Sequence, residues 1–115
     1  MRVLLLTVIG RRSGRPQEVA LNYFEGDDGQ PVVIASNAGD DRHPAWYVNL
    51  RAHPNAAVRL GTETRRVRAR TTIGPERERL WRRVVELDPS YEEYRRRTVR
   101  PIPVVVLEPL PHGAA

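Results

Sequence analysis

Between Gly10 and Arg15 the chain reads G-R-R-S-G-R, which places three guanidinium groups, one hydroxyl and two glycines in six consecutive residues. Glycine at positions 10 and 14 admits positive φ and lets backbone amides turn toward a common point, an anion nest. Arg11, Arg12 and Arg15 supply charge and Ser13 a hydroxyl, a set suited to phosphate or carboxylate; a solvated hairpin turn is the other reading. The pattern is not a Walker loop, because lysine is missing and a strand pattern follows instead of a helix.

A second stretch, ASNAGDDRHPAWYVNL from Ala35 to Leu50, joins the end of a strand pattern to the start of a helix pattern through a glycine-containing loop. Ser36, Asn37 and the loop amides have the donors and acceptors to meet the edge of a planar heterocycle. Trp46 and Asn49, on the first turns of the helix, are placed to face the same spot; as a core aromatic and a backbone-satisfying amide they fit equally. Tyr91 and Tyr94, three residues apart, share a helix face, either as packing aromatics or as walls and phenolic donors for a ligand. His43, His53 and His112 lack the spacing of a metal site, so no metal is expected. Neither a Ser-His-Asp set nor a carboxylate pair can be assembled. Asp40, Asp41, Glu92 and Glu93 read as solvated, as does the run Arg95 to Arg97.

The elements that must position these residues are mostly strands. Val3–Ile9 is a continuous β-prone run ending at Gly10, read as a buried strand. Glu18–Glu25 and Pro31–Ser36 flank the turn GDDGQ and form a hairpin. A second hairpin pairs AAVRLG with TRRVRARTTI around residues 61–63, with Val67, Ala69, Thr71 and Ile73 alternating against Arg66, Arg68, Arg70 and Thr72. Helices are expected from Pro44 to before Pro54, from Pro75 onward, and over PSYEEYRRRT. The second carries an apolar stripe of Leu80, Trp81, Val84, Val85 and Leu87. Ile102–Pro109 is a sixth strand, followed by a frayed tail from residue 110. The expected fold is mainly β with flanking helices: about six antiparallel strands closed into a small barrel, one domain over residues 1–115.

Composition narrows the partners. The 115 residues carry a formal net charge of +5, all 19 cations are arginine, and cysteine is absent. The absence of cysteine excludes disulfides, thiolate metal sites and thiol nucleophiles, and suits a cytoplasmic location. No segment approaches the roughly 20 apolar residues that span a bilayer. An acidic or phosphorylated partner is implied, and a basic nucleic-acid-binding module is one alternative, although aromatics are not interleaved with the arginine face.

Taken together, LLLTVIGRRSGRP, ASNAGDDRHPAWYVNLRAHP and DPSYEEYRRRTVRPIPVVVLEP resemble, in order and spacing, the deazaflavin-dependent nitroreductase and quinone reductase family, over nearly the whole chain. The resemblance implies a split β-barrel of the kind used by flavin mononucleotide oxidoreductases. It implies coenzyme F-420, an 8-hydroxy-5-deazaflavin with a phosphate and a polyglutamate tail, in preference to flavin mononucleotide, the cofactor of an alternative reading. By the match, Arg11, Arg12, Ser13 and Gly14 lie on the phosphate and tail loop. Ser36, Asn37 and Ala38 match the ring-contacting segment, and Trp46 and Asn49 the helix beside it. Tyr91 and Tyr94 match the substrate side, and Tyr91 or Ser36 is the expected hydrogen-bond donor in hydride transfer to a quinone or nitro-type acceptor. Gln17 stands where arginine is common, Asn37 where some members have lysine, and Asp88 where nitroimidazole-reducing members have tyrosine. Relatives usually carry a further stretch before the first strand; its absence puts enclosure of the substrate in question. Homo-oligomers and, at most, peripheral contact with the inner membrane face are compatible with the resemblance. Nucleic acid is not an expected partner under it.

Overall fold

The computed structural model describes residues 1–111. The strands are β1 (Arg2–Ile9), β2 (Pro16–Glu25), β3 (Pro31–Ile34), β4 (Asn55–Leu60), β5 (Glu63–Thr71) and β6 (Val104–Pro109); the helices are α1 (Ala45–Ala52), α2 (Gly74–Leu87) and α3 (Ser90–Arg97). The strands close as β1-β2-β3-β6-β5-β4, with every neighbour antiparallel. This is the mainly β, six-stranded closed barrel with flanking helices that the strand and turn pattern implies, in the split-barrel form that the resemblance implies. Closure is narrow on one side, since β2 meets β3 only through Phe24 and Glu25.

Two apolar cores result. Inside the barrel lie Leu4, Leu6 and Val8 of β1 with Val33, Val58, Val67, Val105 and Leu107, and α1 stops one end with Trp46, Tyr47 and Leu50. Outside it, α2 and α3 lay Leu80, Trp81, Val84 and Tyr91 against Phe24, Val32, Val104 and Val106. Strand β6 therefore has both faces covered, and its VVVL run is buried at every position. Strand β1 differs from the buried strand its run of aliphatics implies: Leu4, Leu6 and Val8 point inward, while Leu5, Thr7 and Ile9 are half-exposed. Apolar residues on both faces of a strand do not distinguish a covered face from an open one; only the placement of helices does.

Other differences are local. Pro44 sits just ahead of α1 in extended geometry, with its carbonyl accepting the first helical bond from Tyr47 at 3.0 Å, instead of inside the first turn. Strand β5 ends at Thr71. The chain then turns toward α2, so Ile73 is 81% exposed while Thr72 is buried and its Oγ1 donates to the Val104 carbonyl at 2.9 Å. Leu87, at the last position of α2, faces solvent and leaves the apolar stripe. Leu110, expected in the frayed tail, donates its amide to the Arg66 carbonyl at 2.9 Å. His112 and the rest of the tail lie outside the described residues.

The β1 register makes a stability prediction. Leu6→Ala removes a fully buried side chain and should lower unfolding stability by about 2–5 kcal/mol. Leu5→Ala, its half-exposed neighbour, should cost about 1 kcal/mol or less. Urea denaturation of both variants checks which face is inside.

Candidate functional site

The arginine loop joins β1 to β2 as a closed turn. The Gly10 amide donates to the Arg15 carbonyl and the Gly14 amide to the Gly10 carbonyl, each at 2.9 Å, and the Arg15 amide donates to Ser13 Oγ at 3.1 Å. The amides of both glycines are thus engaged internally and do not converge on a ligand as a nest would require. Gly14 does use positive φ, +69°. A Cβ on Gly10 would lie 2.6 Å from Ser13 Oγ and 2.9 Å from Gln17 Nε2, so those two side-chain ends would have to shift.

Asn49 explains how the loop is held. Its amide is buried in α1, and Oδ1 accepts from both the Arg11 amide at 3.1 Å and Arg11 Nη1 at 2.8 Å. Asn49 Nδ2 donates to Gln17 Oε1 at 3.2 Å. Asn49 is therefore a brace between helix and loop rather than a free donor, and Gln17 belongs to the same brace. The side chains of Arg12 and Arg15 stay exposed, and neither meets a carboxylate among the described residues. Two uncompensated guanidinium groups thus project from a turn whose backbone is fixed from behind.

Beside the loop, Trp46 forms one wall of a slot of about 200 Å³ whose other lining residues are Val8, Val19, Ala45, Gln17 and Glu18. Gln17 is shared with the brace, so the apolar slot opens at the foot of the arginine turn.

The segment from Ala35 to His43 bends through three consecutive left-handed residues: Asn37, Ala38 and Gly39, with φ of 48°, 53° and 82°. Asn tolerates this region; for Ala38 it costs on the order of 1–2 kcal/mol. The bend is held from within by Asn37 Nδ2 on the Arg42 carbonyl at 3.1 Å and by the Arg42 amide on Asp40 Oδ1 at 2.8 Å. It is held from outside by Arg100, whose guanidinium donates to the carbonyls of Ala35 (3.2 Å), Ser36 (2.8 Å) and Asp40 (2.9 Å). Arg100 is the residue that sequence reasoning missed. It lies inside the stretch DPSYEEYRRRTVRPIPVVVLEP, but nothing local marks its role, because its partners lie some sixty positions earlier. Ser36 is buried at the head of the bend, and its side chain makes no capping bond there.

Arg100 also fixes His43. Its Nη1 lies 3.0 Å from His43 Nδ1, and a guanidinium only donates, so Nδ1 accepts and the imidazole proton sits on Nε2. Burial, with the charges of Arg100 and Arg51, holds the His43 pKa below its ordinary value.

Tyr91 and Tyr94 pack edge to face with ring centroids 5.5 Å apart. Tyr91 is buried in the outer core, and burial, with Asp88 nearby, pushes its phenol pKa up, so it stays a hydrogen-bond donor. Helix α3 also touches the bend: a Cβ on Gly39 would meet the Tyr94 carbonyl and Arg97 Cβ at 2.9 Å. The structure thus joins the arginine loop to α1, and α1 to the bend and α3. Asp88 accepts from the Ser90 amide and hydroxyl, starting α3.

Residues read as solvated turn out to hold partners. Asp41 accepts from Thr98 at 3.0 Å, and Glu92 takes Trp81 Nε1 at 3.4 Å together with Arg95. On β5, Arg70 of the arginine face is paired with Glu76 and Glu108, and Arg65, on the opposite face, with Glu63. Among the described residues, no group of three or more His, Asp or Glu could hold a metal ion, and no helix is long and apolar enough to cross a membrane.

A closed antiparallel barrel stopped at one end by a helix is a split β-barrel of the flavin-binding type. Residues 1–109 match the family profile described as F420H(2)-dependent quinone reductase. An F420H(2)-dependent quinone reductase of Mycobacterium tuberculosis is 38% identical over 107 residues, covering 90% of this chain and 71% of that protein. A solved structure of an F420-H2 dependent reductase, FDR-A, superposes with a TM-score of 0.83 at 38% identity, covering 92% of this chain and 93% of its own. A solved domain-swapped dimer gives the same score and identity and covers 92% of this chain and 79% of its own. The chain belongs to the F420H(2)-dependent quinone reductase family, a family of oxidoreductases.

The His43 arrangement carries a pH prediction. Above pH 6.5, the ordinary imidazole value, His43 is neutral both folded and unfolded and contributes nothing to the pH dependence. Below it the unfolded chain takes the proton first, so stability is lost as pH falls toward the depressed folded midpoint. NMR titration should place the His43 midpoint below 6.5 and move it upward in Arg100→Gln, and His43→Gln should remove this part of the slope of stability against pH.

Proposed function

We propose that this chain binds reduced coenzyme F-420 and passes its hydride to a quinone-class acceptor, with nitro compounds as a secondary acceptor class. The observation that carries the reading is the apolar slot beside Trp46, opening at the foot of a turn that presents the uncompensated Arg12 and Arg15. A planar heterocycle with an anionic tail needs that pairing of surfaces. The donor set fits: guanidinium groups and a hydroxyl for a phosphodiester and carboxylates, aliphatic walls for a ring.

The deazaflavin, when bound, supplies a hydride donor. The chain's own residues bind, orient and hold protons. Arg12 and Arg15, with Ser13 and the Gly14 bend, take the phosphate and tail. Arg11 lends its charge from its place on Asn49, and Asn49 keeps the loop at a fixed height above α1. Trp46 would pack against one part of the ring system, since a slot of about 200 Å³ holds no more than about one ring, and Ser36, Asn37 and Ala38 would line the rest with a backbone already bent into place by Arg100. Tyr94 and Tyr91, on the helix that packs against this bend, would meet the acceptor. The Tyr91 phenol, kept protonated by its surroundings, is the proposed donor to the anion that develops on a quinone oxygen, with the Ser36 hydroxyl as the second candidate. Flavin mononucleotide also carries a phosphate, but a single one rewards a cluster of arginines less than a phosphate with a carboxylate tail does. The dimeric relative supports self-association as a further property to test.

Fluorescence titration with oxidised coenzyme F-420 checks the reading. Saturable binding should weaken about tenfold in Arg12→Ala, the loss of one charge-assisted contact, and should weaken in wild type as salt is raised. Flavin mononucleotide should bind less tightly. Absence of saturable binding by either cofactor would overturn the proposal.

A further inference from the structure

We propose that the cleft between α1, β5 and β6 is a second binding site, for a small organic monoanion with a flat apolar body. Helix α1 has two working flanks. Trp46 and Asn49 face the arginine loop and its slot. Tyr47, Leu50 and Arg51 face the other way, across a cleft of about 250 Å³ toward Ala69 and Thr71 of β5 and Val105 of β6. That volume lies just below the roughly 300–1,000 Å³ of pockets for drug-sized ligands, so it suits a body of one ring.

The lining is asymmetric in a way that specifies a ligand. Leu50 and Val105 are buried and, with Ala69, give an apolar floor. At the rim Arg51 is exposed, meets no carboxylate among the described residues, and lies over the Tyr47 ring at 5.5 Å from its centroid. Stacking on Tyr47 holds the cation at the mouth instead of releasing it to solvent. Tyr47, itself buried, shares a single hydrogen bond with Thr71, Oη to Oγ1 at 2.9 Å. One of those two hydroxyl protons is used in the bond, which leaves the other to donate. An apolar floor, one fixed positive charge and one spare O–H are the complement of an aromatic monocarboxylate. The larger cleft at the other barrel end, about 540 Å³, offers no such charge, because its arginines are paired internally, Arg2 with Glu25 and Arg65 with Glu63.

The test uses benzoate as the probe, with benzyl alcohol as its neutral counterpart, followed by two-dimensional NMR of the labelled protein. The proposal expects saturable benzoate-induced shifts at the Tyr47, Arg51, Ala69 and Thr71 amides, and benzyl alcohol at least about tenfold weaker. Arg51→Gln, at an exposed position, should weaken benzoate about tenfold, and Thr71→Val should weaken it by a smaller factor. The shifts should persist in the presence of saturating oxidised coenzyme F-420. Absence of saturation, equal affinity in Arg51→Gln and wild type, or shifts centred on Arg11–Gln17 would each overturn it, as would displacement of benzoate by the coenzyme. Should Arg51→Gln fail to fold, Thr71→Val carries the decision by the same criterion of weakened or unchanged affinity.

Discussion

The guanidinium of Arg100 joins stretches of chain that arrive from different parts of the fold. It accepts no compromise in geometry: a planar fork with donors on three nitrogens meets the carbonyls of Ala35, Ser36 and Asp40 and the ring of His43 at once. Those bonds offset the cost of running Asn37 and Ala38 through left-handed backbone. They depend on barrel closure, because Arg100 reaches the end of β3 only when β6, which follows it, pairs with β3. The bend in turn sets where α1 begins, and α1 fixes the arginine loop through Asn49. The bend, α1 and the arginine loop are therefore one mechanical unit with Arg100 at its base.

Among the described residues eight arginines are matched by a carboxylate, as Arg79 is by Asp27 and Arg96 by Glu93. Arg59, Arg68, Arg82, Arg83 and Arg97 are not, and neither are Arg12 and Arg15 on the loop and Arg51 on the far flank of α1, which differ in standing beside an apolar recess. Surface ion pairs contribute little to stability, so the matched arginines are not the source of the fold's strength. Arg12, Arg15 and Arg51 are more informative, since uncompensated charge beside an apolar recess is what an anionic ligand recognises.

Much of this was legible in the sequence, for a physical reason. Alternation and turn residues fix strands locally, so β2, the β4–β5 hairpin and the Gly26–Gln30 turn could be read to within about two residues at their ends. The motifs around Gly10, Ser36 and Tyr91 marked the segments on which the proposed site rests. What each side chain does was less legible. Asn49 has the same letter whether it meets a ligand or braces a loop, and only the structure shows its amide occupied by Arg11 and Gln17. The aliphatics of β1 look alike inside and out, because no local pattern records which face a helix covers. Arg100 left no trace at all, since its meaning lies in partners some sixty residues away.

The central claim is that reduced coenzyme F-420 is the electron donor and a quinone the acceptor. The direct measurement is spectrophotometric oxidation of the reduced coenzyme by the purified protein in the presence of a simple quinone, against controls lacking either protein or quinone. The account predicts oxidation that requires both, saturates with the coenzyme, and slows when Tyr91 is replaced by phenylalanine. Saturable binding of the coenzyme with no quinone-dependent oxidation would contradict it, and would leave the arginine loop and its slot as a carrier site without the chemistry.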